Sequence, residues 1–241
     1  MSSTARPRFT YLGHSAVRFD LPNGTVGVVD PWLTGNPTAP ADYEFERLDL
    51  ILVSHAHGDH MADVEPLAKK HDAVVIAAFD LTQWLEGRGV PRTSGMNLGG
   101  TQQAFGLDIT MVRADHSSGF LDEEGRSVYG GLACGYVVRC SDAFTFYHSG
   151  DTALFSDMSL IGDLWRPVLA FLPIGDHFTM DPDQAARACR LLHVQHVVPI
   201  HWGTFPVLRG QPADLSRALA DQGVTTEVVT MKPGESWTPP E

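Results

Sequence analysis

No stretch of this 241-residue chain approaches membrane-spanning length, and Met1 to Arg8 has none of the apolar core of a signal peptide. A cytoplasmic enzyme is therefore expected. Basic clusters are missing too: the longest basic run is Lys69-Lys70 and the formal charge is −12. Phosphate neutralisation needs clustered Lys and Arg, so a nucleic-acid groove is excluded. Cysteine is scarce. Cys134, Cys140 and Cys189 are odd in number and lack Cys-x-x-Cys spacing, which excludes a disulfide framework and a zinc ribbon and leaves buried free thiols. Gly-x-Ser-x-Gly is absent, so a serine nucleophile is unsupported even though Ser15, Ser117 and Ser149 lie close to histidines. Linkers, low complexity and internal repeats are also absent, and 43% hydrophobic with 19% charged residues suits a soluble globular domain spanning 1–241.

What the chain does contain is His55-Ala56-His57-Gly58-Asp59-His60, directly after the apolar run Leu50 to Ser54. In extended backbone the side chains at i and i+2 share a side, so His55 and His57 can grip one ion. A turn at Gly58, through backbone angles that only a residue without Cβ adopts easily, would deliver Asp59 and His60 to another side of the same cavity. Imidazole with carboxylate suits zinc and neighbouring first-row metals, whereas calcium and magnesium prefer oxygen throughout.

Phe9 to Tyr11, Ala16 to Leu21 and Thr25 to Asp30 read as strands, the latter two joined at the turn Pro22-Asn23-Gly24. Asp30 to Pro37 reads as a loop, Val64 to His71 as a helix, Ala73 to Ala77 as a strand, and the stretch through Trp84 and Leu85 as a helix capped by Asp80 and ended by Gly87 and Gly89. Met96 to Arg139 is mostly strand, followed by a strand at Phe144 to Tyr147, a helix at Asp157 to Leu164 and a strand at Val168 to Leu172. Asp181 caps a helix whose apolar positions Ala185, Ala188, Cys189 and Leu192 share one face. Val197 to Ile200 is a strand, Leu215 to Asp221 a helix, and Glu227 to Val229 closes the sheet. The pattern is α/β: two sheets packed face to face with helices outside.

Further ligand candidates recur where strands give way to loops. His116 follows Met111 to Asp115, Asp151 follows Phe144 to Tyr147, and His201 follows Val197 to Ile200. Side chains at strand ends around one sheet edge can converge. The summed expectation is a dinuclear site, with His55, His57 and His116 on one ion, Asp59, His60 and His201 on the other, and Asp151 bridging. A hydroxide between metals about 3.5–4 Å apart would complete it.

This ligand order resembles the metallo-β-lactamase superfamily. Gly13-His14-Ser15, Asp30 to Pro37, Asn97 to Gly100, Ala114 to Ser118, Ser149 to Thr152, Pro173 to Asp176 and Pro199 to Pro206 resemble, more narrowly, the UPF0173 metal-dependent hydrolases over nearly the whole chain. The resemblance implies a four-layer αββα fold and similarity to ascorbate-6-phosphate lactonases and, more distantly, to phospholipase D-type phosphodiesterases. Branches that reduce oxygen or nitric oxide at iron carry Glu where this chain has His57, so hydrolysis is the implied chemistry. RNA-processing members carry basic exosites or large insertions that this chain lacks. Self-association is implied by the family alone.

The expected reaction is attack by the hydroxide bridging two divalent ions, zinc first with manganese and iron as alternatives, on a small phosphodiester, lactone or thioester. Asp59 is expected to orient the hydroxide and accept its proton while remaining a ligand. Two dications could attract an anionic small-molecule substrate. His177, after a strand, is either a substrate contact or a surface histidine. Asp30 is either the acceptor behind a metal-bound histidine, as the family implies, or a turn cap. His14 and His148 are weaker candidates for such support, and His71, His193 and His196 read as structural. The competing function is a non-catalytic metal-binding subunit of an oligomer, whose ions would be closed off by protein atoms.

Overall fold

Alternating apolar residues and a Gly-containing turn make residues 8–29 an antiparallel meander. Strands β1 (Arg8–Gly13), β2 (Ala16–Asp20) and β3 (Val26–Val29) pair in sequence. Gly24 adopts φ +86 at the β2–β3 turn and donates its N–H to the carbonyl of Leu21 at 2.9 Å, as the sequence signal requires. The computed structural model describes residues 6–141 and 143–240. The reading of Met1 to Ala5 lies outside them.

The chain divides into two compact units. The first comprises the chain up to Asn97, Ser117–Leu132, and the chain from Met231. Its sheet continues from β3 through β4 (Leu50–Leu52), β5 (Val74–Ala78) and β6 (Thr93–Met96), all parallel. Helices α2 (Val64–His71) and α3 (Phe79–Gly87) make the crossovers. Val28, Ile51 and Val75 join Val64, Leu81 and Leu85 from these helices in a buried core. Each fully buried Leu or Val of this kind contributes about 1.5–3 kcal/mol. A separate hairpin, β9 (Gly119–Leu121) with β10 (Ser127–Tyr129), belongs to the same unit.

The second unit comprises Leu98–His116 and Ala133–Thr230. Strands β7 (Thr101–Ala104), β8 (Leu107–Arg113), β11 (Cys134–Cys140) and β12 (Thr145–His148) are antiparallel. From β12, strands β13 (Leu169–Pro173), β14 (His196–Ile200) and β15 (Glu227–Val228) continue in parallel. Helices α4 (Met158–Trp165), α5 (Pro182–Leu192) and α6 (Pro212–Asp221) connect them. Asp181 caps α5, accepting the N–H of Gln184 at 2.7 Å, and Ala185, Ala188, Cys189 and Leu192 are buried as the periodicity predicts.

Two expectations need correction, and one strand is added. The strand at Glu227 closes the second unit's sheet as its edge strand β15, but a further strand was not expected: β16 (Ser236–Trp237) returns to pair with β1 in the first unit's sheet. Its partner β1 lies at the other end of the chain, where no local pattern announces the pairing. Asp80 does not cap α3, because β5 runs directly into the helix with extended Ala78 as the cap residue; Asp80 instead places its charge in the first turn, near the helix's positive end. Gly58 takes no left-handed angle, for it opens the short helix α1 (Gly58–Met61) with His57 as the extended cap residue. The change of direction after His57 is a strand-to-helix transition that any residue could make.

Both sheets share one plan. Each runs from three antiparallel pairings into three parallel ones, in the orders β16-β1-β2-β3-β4-β5-β6 and β7-β8-β11-β12-β13-β14-β15. The correspondence lies in topology, not in residues. It matters for function because ligands collect outside the carboxyl ends of parallel strands.

Candidate metal centre

The carboxyl ends of β3 and β4 carry the first cluster. Asp30, one residue past β3, is fully buried and left-handed at φ +50, a conformation Asp tolerates better than most residues. Its Oδ1 accepts the backbone N–H of Ser54 at 2.7 Å; its Oδ2 accepts the Ser54 hydroxyl at 2.6 Å and the His60 Nδ1–H at 2.8 Å. The Ser54 oxygen in turn takes the His55 Nδ1–H at 2.9 Å. One buried carboxylate thus fixes, directly or through a hydroxyl, the Nδ1 protons of two histidines. Their Nε2 lone pairs are thereby presented for coordination, as metal-ligating histidines require. Asp30, His55 and His60 offer ligand atoms within 4.8 Å of one another, but Asp30 faces the Nδ1 side and so orients the rings.

His55 Nε2 lies 2.9 Å from His57 Nδ1, so the i, i+2 pair does share a side. His57 Nε2 faces the Ser117 hydroxyl at 3.3 Å. In the tautomers that donate the outer N–H groups to serines, the two facing nitrogens each present a lone pair, the arrangement a shared cation needs. Two nitrogens held about 2.0–2.1 Å from one ion would be separated by about 2.9–3.4 Å, so the spacing fits a shared transition metal. Asp59 Oδ2 is 3.2 Å from Nε2 of His14, which is itself buried and held edge-on by the Trp32 ring at 5.1 Å.

The loop bearing the histidines is pinned by a residue whose role the sequence did not reveal. The buried Ser118 hydroxyl accepts the Ala56 N–H at 3.2 Å and donates to the Gly130 carbonyl at 3.1 Å, tying both roots of the β9–β10 hairpin to the loop. A Cβ on Gly130 would lie 2.1 Å from the Ser118 carbonyl and 2.3 Å from the Ala56 Cβ, so this close approach demands glycine.

The second unit holds a second cluster, outside β8, β12 and β14. Asp151 Oδ2 stands 2.9 Å from His201 Nε2 and 3.7 Å from His116 Nε2, placing one carboxylate oxygen between two imidazoles. Asp151 and His201 are almost wholly buried, and His201 is left-handed at φ +53. The His116 loop is tied to the Asp151 loop on both sides of Asp115, whose N–H reaches the Thr152 hydroxyl at 3.0 Å and whose carbonyl takes the Ala153 N–H at 3.1 Å. His148, buried and stacked on Phe171, accepts the Gly150 N–H at 3.2 Å and so shapes the turn that presents Asp151.

The seven expected ligands therefore fall into two sets, His55, His57, Asp59 and His60 in one unit and His116, Asp151 and His201 in the other. Asp30, His14, Ser54 and Ser118 support the first set, His148 and Thr152 the second. His177 is exposed in a left-handed turn after β13, its ring 4.4 Å from that of Phe178. His196 lies 3.3 Å from Glu227, and His193 caps the end of α5. All three cysteines are free and buried. No helix among the described residues is long and apolar enough to cross a membrane.

Residues 25–202 match the family model described as the beta-lactamase superfamily domain. A UPF0173 metal-dependent hydrolase from Solibacter usitatus is 49% identical over 226 residues, 94% of this chain and 97% of the relative. Another, from Koribacter versatilis, is 45% identical over 95% of this chain and 97% of its own. This chain belongs to the UPF0173 metal-dependent hydrolase family of the beta-lactamase superfamily. The structure of a metallo hydrolase from the hyperthermophilic archaeon Ignicoccus hospitalis superposes with a TM-score of 0.85 at 33% identity, covering 98% of this chain and 99% of that one. The α/β architecture of two mixed sheets with helices is thus the metallo-β-lactamase fold, as the motif order implied. In this UPF0173 protein the His and Asp clusters are the candidate metal ligands.

Proposed function

We propose that this UPF0173 protein is a dinuclear metal-dependent hydrolase of small ester-like substrates. In this reading His55, His57 and His116 hold one ion, Asp59, His60 and His201 hold the second, and Asp151 is common to both, the two units serving one domain. Zinc is the first choice of metal, with manganese or iron where availability favours them. When bound, such a pair supplies Lewis acidity toward the target oxygen and a hydroxide nucleophile near neutral pH.

The observation that carries the reading is the position of Asp151 Oδ2 between Nε2 of His116 and Nε2 of His201. A carboxylate so placed can serve two cations and reduces their combined charge. The remaining work falls to the chain's own groups. Asp30 keeps His60 and, through Ser54, His55 in the tautomer that leaves Nε2 unprotonated. Asp59, side chain 27% exposed and fixed by His14, is reachable by substrate and takes the proton released during attack. His177, exposed on its loop, contacts the substrate outside the ligand set. A phosphodiester, a lactone and a thioester all present an oxygen that this machinery can polarise.

The test is a hydrolysis panel of activated phosphodiesters, lactones and thioesters run on metal-quantified protein, with Asp59→Ala and His177→Ala alongside. Turnover of one class, abolished in Asp59→Ala and reduced in His177→Ala, is expected. Tightly bound metal that raises stability without turnover of any ester would favour a structural metal subunit instead.

A further inference from the structure

We propose that the cavity beside His57 binds an uncharged apolar portion of the substrate, an aryl or medium-length acyl group, and excludes anionic ones. This deepens the hydrolase reading and rests on it for the word substrate. The cavity, about 710 Å³, lies wholly within the first unit, between the histidine loop, α3 and the β9–β10 hairpin. That volume suits a small organic ligand. Its lining includes His57 itself, so whatever fills the cavity abuts a ligand of the candidate metal centre.

The cavity's chemistry is specific. Trp84 and Phe120 meet edge to face at 4.9 Å, and Met61, packed against the same core, adds a polarisable thioether. Both arginines that line it have carboxylate partners. Arg88 lies over Trp84 and donates to Glu65 at 3.0 Å and to Glu123 at 2.8 Å; Arg126 donates to Asp122 at 2.7 Å and to Glu124 at 2.9 Å. Four carboxylates face two guanidinium groups, so the lining carries surplus negative charge, and a carboxylate or phosphate entering it would meet repulsion with no cation left to answer it. An apolar group instead packs on the wall of Trp84, Phe120 and Met61. The Ser118 and Gly130 contacts fix the hairpin to the histidine loop, so the cavity is preformed.

The experiment reads binding without turnover. Metal-free full-length protein is titrated with neutral N-phenyl-1-naphthylamine and with anionic 8-anilinonaphthalene-1-sulfonate, which share an aromatic body and differ by a sulfonate. Saturable one-site binding of the neutral probe is expected, with affinity for the sulfonate lower by about tenfold or more. Phe120→Ala, and independently Leu121→Glu at the 70% exposed hairpin position, should each weaken the neutral probe by a similar factor while the circular dichroism spectrum stays that of the parent. Equal or tighter binding of the sulfonate, or neutral binding indifferent to both variants, overturns the assignment. Because no hydrolysis is read, failure here is separate from failure of the hydrolase reading, which would show as an inactive panel with probe binding intact.

Discussion

The Nδ1–H of His60 donates to Oδ2 of Asp30 across 2.8 Å, and both side chains are completely buried. The partners of the Asp30 carboxylate are all donors: the Ser54 amide, the Ser54 hydroxyl and the His60 ring. An Asp30→Asn substitution would turn an amide N–H₂ against one of them. Groups in this position behind metal ligands typically contribute about 10–100-fold to metal affinity. We expect that loss in Asp30→Asn, measured by competition with a chromophoric chelator, with Asp30→Glu recovering little because at this fully buried position a longer side chain shifts the carboxylate away from its three donors.

Removing the proposed metals should lower the melting temperature, since only the folded chain brings the candidate ligands together and metal binding therefore stabilises it. Ligand at about 100 times its Kd stabilises by about 2.7 kcal/mol. Differential scanning calorimetry of chelator-treated and reloaded protein should show at least that difference; coincident transitions would argue against a site that the fold presents ready-made.

Two glycines beside the histidine loop should respond in opposite ways. Gly130→Ala forces a Cβ into backbone, and overpacking of this kind costs about 1–3 kcal/mol, so its urea midpoint should fall and its metal affinity with it. Gly58→Ala meets nothing within 4 Å, and in a helix an alanine is favoured by about 0.5–1 kcal/mol, so stability should hold or rise.

This contrast shows where the sequence was legible. The six-residue cluster, the strand-end positions of His116, Asp151 and His201, and the α5 face were readable because each is a local pattern with a fixed period or spacing. Gly58 was misread because flexibility was assigned to the glycine inside the motif. The glycine that matters, Gly130, is distant in sequence and constrained only by Ala56 and Ser118 across the fold. Likewise β16 pairs with β1 from the far end of the chain, and the common plan of the two sheets survives in pairing order alone. The cavity walled by Trp84 and Phe120 joins α3 to a hairpin, a juxtaposition no window along the chain contains.

Burial pushes the Cys189 thiol up from about 9 to about 12, and Cys134 and Cys140 are buried as well. The native protein should therefore resist aromatic disulfide reagents at pH 8, releasing three equivalents only on denaturation. The unfolded chain loses the Cys189 proton from about pH 9, whereas the folded one keeps it to about 12, so this group's contribution to stability is intact below pH 9 and declines as pH rises through that window. Urea midpoints at pH 8, 9.5 and 10.5 should fall in that order, less steeply in Cys189→Ala.

The most direct measurement is the metal itself. Crystals of the metal-loaded protein, with anomalous data at the zinc edge and elemental analysis of the same sample, should give two peaks per chain, one beside His55, His57 and His116, the other beside Asp59, His60 and His201, with Asp151 touching both. A single peak enclosed entirely by protein atoms, or ions lying away from Asp151, would contradict the dinuclear account.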